Sequence, residues 1–144
     1  MMENQGGSKK DEKKPIQVTD FDVSSPIDQK KATEILCGNS NMFYLMIAKF
    51  EDMTFMQMMQ LIADAVDDAA STDPSDEKLY QEKMKKIMDP AHQLKSPAGY
   101  IGASHIHYAC YFIQEGYLYE KYQQIYDYYP TLLEAGVHFR VASR

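Results

Sequence analysis

His92 and Lys95 stand three residues apart in the stretch "AHQLKSPAGYIGA", residues 91–103 of a 144-residue chain, and Ser96 and Gly99 follow within two turns. On a helix this spacing puts the imidazole, the ammonium and the two small residues on one face. An ordinary imidazole is largely neutral at neutral pH, so one ring nitrogen keeps a lone pair that can attack an electrophile. A lysine one turn away favours an anion. Set in a low-profile patch, the pair is placed to meet something anionic brought in by another protein.

The remaining chemistry-bearing residues point elsewhere. His105 and His107 are two apart, face different sides of a helix and do not form a pair of metal ligands; no metal site is expected. His138 reads as a surface residue or a helix-end cation. The two cysteines, Cys37 and Cys110, have no CxxC or paired-ligand spacing and are too few to staple a scaffold, which fits a reducing compartment. The tyrosine run "YLYEKYQQIYDYY" lies at helical spacing in an acidic chain and reads as core and rim rather than a base-stacking platform. Methionines at the same spacing read as gap-fillers of a core.

A site of this kind needs helices to present it, and the hydrophobic periodicity supplies them. "SSPIDQKKATEIL" predicts a short helix capped by Ser25 with Pro26 at its first position, stopped at Gly38. Met42, Leu45, Met46, Lys49 and Phe50 follow at helical spacing, and Thr54 offers a cap for the next segment. From Phe55 the residues Met58, Met59, Ile62, Ala65, Val66 and Ala69 form one apolar stripe, with Asp64, Asp67 and Asp68 off it. Ser75 opens a further helix carrying Leu79, Met84, Ile87 and Leu94. The last third continues with Ile106, Ala109, Cys110, Ile113 and Tyr117, then Tyr122, Ile125, Tyr126, Tyr129, Leu132, Leu133 and Val137. Gly116 and its neighbours read as the last connection and Pro130 as a kink.

The expectation is therefore an all-α chain: an antiparallel four-helix bundle over residues 25–144, with one or two short extra N-terminal helices. Residues 1–24, rich in charge and glycine with nothing to bury, read as a tail. Pro90 and Pro97 leave two readings of the site helix, a kink or a fresh segment capped by Asp89 with Pro90 at its first position; the apolar stripe on both sides favours the kink. Gly102 is suited to end that helix in the left-handed conformation, so that Ala103 starts a returning arm. Ten residues out and twelve back bring His92 and Gln114 to the same level, at 1.5 Å per residue. A net charge of −6 argues against nucleic acid and anionic membranes as partners. No stretch approaches the roughly 20 apolar residues of a membrane span, and the expected localisation is cytoplasmic, or also nuclear in a eukaryote.

"AHQLKSPAGYIGA" resembles the signature of histidine-containing phosphotransfer domains, which reads His, any residue, Leu, Lys, Gly, small residues, then Gly-Ala. His92, Leu94, Lys95, Gly102 and Ala103 match it, and "HYACYFIQ" resembles the helix that follows, through Cys110 and Gln114. The resemblance spans residues 40–143 and is greatest to free-standing relay intermediates. It implies a phosphocarrier that takes a phosphoryl group from an aspartate of one response-regulator receiver domain and passes it to another. One such receiver can belong to a hybrid histidine kinase. By matching position His92 is the phosphoacceptor, Lys95 steadies the phosphoryl oxygens, and Gln114 orients the imidazole; Ser96 and Gly99 lie where a receiver docks. The receiver supplies Mg²⁺, so this chain, a monomer and not an enzyme, is expected to need no cofactor of its own. Ser96 stands where the family has glycine, which with Pro97 leaves a second reading open: a receiver-docking module that keeps the bundle and has little or no relay activity.

Overall fold

The computed structural model describes residues 26–36 and 38–143, and every regular element among them is helical. The order is α1 (Gln29–Ile35), α2 (Ser40–Lys49), a π-helical segment (Phe50–Phe55), α3 (Met56–Ala70), α4 (Glu77–Tyr100), α5 (Ser104–Leu118) and α6 (Tyr122–Ala142). The expected tail over residues 1–24, and Ser25 and Cys37, lie outside the described residues.

Carboxylate and amide oxygens, not hydroxyls, start three of the helices, α1, α2 and α4. Asp28 Oδ1 accepts the Lys31 N–H at 3.0 Å, Asn39 Oδ1 the Met42 N–H at 2.9 Å, and Asp76 Oδ1 the Leu79 N–H at 3.3 Å, each satisfying a donor the first turn leaves open. This corrects three expected starts. α1 opens at Asp28 instead of Ser25–Pro26, and α4 at Asp76 instead of Ser75, whose own N–H is taken by Asp73 Oδ1 at 2.9 Å. Thr54 caps nothing: the dihedrals stay helical from Lys49 (φ −63°, ψ −43°) through Phe55 (φ −61°, ψ −54°), so α2 runs into α3 across the π segment.

Two tight turns fold the long helices back on one another. At the end of α4, Gly102 (φ +75°) lets the Ala103 N–H reach the Ala98 carbonyl at 2.8 Å while its own N–H reaches Gly99 O at 3.1 Å. This pair of bonds closes a helix onto a left-handed residue. The end of α5 repeats it with Glu120 (φ +56°): Lys121 N–H donates to Gly116 O at 2.7 Å and Glu120 N–H to Tyr117 O at 3.1 Å. Gly116, read from sequence as the connection, is thus inside α5. It is small because α6 approaches there; a Cβ would come within 3.1 Å of Ile125 Cγ1.

With these turns α4 packs between α3 and α5, and α6 packs on α5. The far half of α6 also reaches the π segment, where the Phe50, Phe55 and Phe139 rings lie 5.4–5.8 Å apart, centroid to centroid. Gly136 permits that approach, since a Cβ would come within 2.9 Å of Phe55 Cζ. Ile62, Met84, Ile87, Leu94, Ile106, Ile113, Ile125 and Leu132 fill the core as their spacing predicts. α2 turns differently: Phe43, Ile47 and Phe50 are buried, whereas Met42 and Leu45 are exposed. Leu133 and Val137 of α6, expected in the core, are exposed as well. α6 continues as one helix through Pro130, which faces solvent. Among the described residues no helix is long and apolar enough to cross a membrane.

Candidate functional site

α4 carries the site, and it is a single helix of 24 residues through both internal prolines. Asp89 therefore does not cap a fresh segment, and His92 sits far from any helix N-terminus. Each proline withholds the N–H that would serve the carbonyl four residues back. Those carbonyls belong to Lys86 and Gln93, both exposed, where water can replace the missing donor. Pro90 itself is buried, and buried Ala91, Leu94 and Ala98 continue the packed side of the helix. The opposite side is the open one.

On that open side the imidazole of His92 is exposed and Ser96 is exposed one turn on, while Lys95 is half-buried between them. Gly99, expected on the same open face, is buried and lends it no surface. The acid nearest along the helix, Asp89, is held by Lys85 Nζ at 3.0 Å, an i,i+4 pair that offsets a negative charge one turn before His92. The same pairing pushes the Lys85 ammonium above its ordinary value, through the hydrogen bond first and the Asp89 charge second. Beyond Ser96 an apolar groove of about 520 Å³ opens between α4 and the π segment, walled by Met46, Met53, Pro97 and Tyr100, with Lys49 at its edge.

α5 braces this face from beside it. His107 is 1% exposed, and its Nδ1 lies 2.9 Å from the Lys95 carbonyl oxygen. A carbonyl can only accept, so Nδ1 carries the hydrogen and donates it. One turn further on α5, the Tyr111 ring lies under Lys95 Nζ, 5.6 Å from ammonium to centroid, and the Tyr111 hydroxyl donates to Glu115 Oε2 at 3.0 Å. That hydrogen bond, followed by the Glu115 charge, raises the Tyr111 phenol above its ordinary value. Cys110, between these residues, is fully buried; burial pushes its thiol up, with the Lys95 charge acting the other way.

The hairpin puts His92 and Gln114 on neighbouring helices, α4 and α5, but not at the same level as expected. Taking Lys95 and His107 as one level, His92 pairs with residue 110, and Gln114 lies four residues, about 6 Å, further along. Both side chains lean towards their own N-termini and so towards each other. Among the described residues no hydrogen bond joins them, and Gln114 Oε1 is buried with no donor on it. Tyr111 and Glu115 were not singled out from sequence, and His107 was weighed there only as a metal ligand. A signal for His107 existed, because it shares the apolar stripe of Ala103 and Cys110; its neighbour His105, half-buried, obscured it. No three His, Cys, Asp or Glu side chains among the described residues come together in a way that could hold a metal ion. Compared with known proteins, the chain matches no family model, no curated protein and no solved structure to a significant degree.

Proposed function

We propose that this chain is a phosphocarrier of a multistep relay, with α3 to α6 serving as an antiparallel four-helix bundle of the histidine-containing phosphotransfer type. The observation that carries the reading is the exposed imidazole of His92 in the middle of α4, with a braced lysine one turn along. An aspartyl phosphate on a receiver domain is the matching donor. One imidazole nitrogen forms the N–P bond as the acyl O–P bond breaks, and the aspartate leaves as carboxylate. The N–H proton of the ring then goes to solvent, and transfer to a second receiver runs the same step backwards.

Such transfer passes through a loose transition state in which positioning and charge do most of the work. Lys95 supplies one positive charge to the phosphoryl oxygens; the receiver supplies Mg²⁺ and the acidic residues that hold it. His92 needs no general base, because its attacking nitrogen is already unprotonated in the neutral ring. The groove beside Ser96 offers apolar surface to a docked domain, and Lys49 at its edge suits an acidic one.

A second reading, a receiver-docking module with little or no relay activity, is favoured by one observation: His92 and Gln114 are not hydrogen-bonded, so nothing on α5 fixes the imidazole tautomer. Labelling separates the two readings. Incubation with a phosphorylated, Mg²⁺-loaded receiver domain yields an acid-labile, alkali-stable phosphate on the parent protein and none on His92→Gln, with helicity by circular dichroism unchanged. Label that persists in His92→Gln, or that is found on His105, contradicts the phosphocarrier reading. Binding without label supports the docking module.

A further inference from the structure

We infer that Tyr111 is a positioning residue for Lys95, drawing its ammonium along α4 to the level of His92; this rests on the phosphocarrier reading above. Lysine has a long stem with many rotamers, and an exposed one spreads its charge over a wide arc. Lys95 is gripped at both ends. His107 holds its carbonyl at 2.9 Å, fixing the backbone against α5, and the face of Tyr111 receives its ammonium at 5.6 Å, within the reach of a cation–π contact.

The register gives the grip its direction. With Lys95 opposite His107, Tyr111 lies one turn further along α5, opposite residue 91 of α4. The ammonium leans towards the N-terminal end of α4 and the ring leans back along α5 to meet it, so the two come together between the levels of residues 91 and 95, the span that contains His92. The ring in turn is fixed from the far side, because its hydroxyl donates to Glu115 at 3.0 Å. His107, Tyr111 and Glu115 are spaced four apart and form one row on α5. Without the ring, the charge would have no reason to stop beside the acceptor.

The test uses the full chain, with phosphoramidate as a small phosphoryl donor: its P–N bond breaks as the His92 N–P bond forms, and ammonia leaves. Tyr111→Phe keeps the ring and should label within about twofold of the parent, whereas Tyr111→Leu should label about two- to fivefold more slowly, the size of a partly exposed cation–π contact. In a Lys95→Ala background, Tyr111→Leu should add no further loss, an outcome that a purely structural role for the ring would not give. Proton NMR reads the geometry without any transfer: the Lys95 Hε resonances should be ring-shifted upfield in the parent and in Tyr111→Phe, and at ordinary positions in Tyr111→Leu. A labelled parent whose Tyr111→Leu rate is unchanged, equal losses in both backgrounds, or unshifted Hε resonances in the parent would overturn the inference alone. A parent that takes no phosphoryl group on His92 overturns the phosphocarrier reading, whatever the Hε shifts show.

Discussion

Ser96 is the residue whose chemistry most directly sets access to His92. It is exposed one turn from the imidazole, at the mouth of the apolar groove, so anything that docks over His92 must pass it. Ser96→Gly removes one hydroxymethyl and costs the helix only about half a kcal/mol in propensity, so transfer from a receiver should be unchanged or faster. Ser96→Gln, of good helix propensity, should block receiver approach while the thermal midpoint stays put; equal transfer rates for Ser96→Gln and the parent would show that receivers dock elsewhere. At this scale the sequence was a good guide where spacing alone decides, as for His92 and Lys95. It was silent where a side chain crosses between helices. The apolar stripe could turn His107 inward, but nothing in the order of residues says that it donates to a carbonyl twelve positions earlier, or that Tyr111 sits under a lysine sixteen positions away.

The α4–α5 hairpin is the element on which the site depends, and Gly102 is its joint. The residue holds φ at +75°, and its carbonyl accepts the Asp28 N–H at 2.6 Å, so the start of α1 is laid directly across the turn. A Cβ on Gly102 would collide with the Asp28 carbonyl, whereas one on Gly38, which has a similar φ of +80°, would meet nothing within 4 Å. The two glycines thus separate backbone strain from contact. Gly38→Ala should cost about 1–2 kcal/mol, the left-handed penalty alone, and Gly102→Ala about 2–4 kcal/mol, measured as shifts in the urea midpoint at constant slope. Equal shifts would mean that α1 does not bear on the turn. The hairpin was legible because Gly102 interrupts an apolar stripe that resumes on the other side. The α5–α6 turn was not, because Glu120 takes the left-handed conformation there and the conspicuous glycine, Gly116, serves close packing instead. α2 defeated the periodicity for another reason: Met42, Phe43, Leu45, Met46 and Ile47 offer two apolar faces, and only the π segment that follows decides which one is buried.

Across the whole molecule, ionisable groups packed in or against the core make its stability fall at alkaline pH. Cys110 has an ordinary value of 9.0 and is pushed up by burial; Tyr126, ordinarily 10.0, is pushed up by burial first and then by its bond with Tyr80, whose hydroxyl lies 3.2 Å away. In both, the folded state holds the proton longer than the unfolded chain does. Their contribution to stability is complete below pH 9 and declines as pH rises through about 9 for the thiol and 10 for the phenol. The urea midpoint should be flat from about pH 7 to 9 and fall beyond it, and Cys110→Ala should delay the fall to about pH 10. An unchanged onset would mean that the thiol is not held neutral by the fold. The same packing that buries Cys110 leaves His92 facing outward, where the imidazole can meet a partner. The most direct measurement is to load the chain from a phosphorylated receiver, map the phosphate, and add a second, unphosphorylated receiver with Mg²⁺. The expected result is a phosphoryl group on His92 that disappears as it appears on the second receiver's aspartate; a His92 that takes no phosphoryl group from the donor receiver would rule out the phosphocarrier.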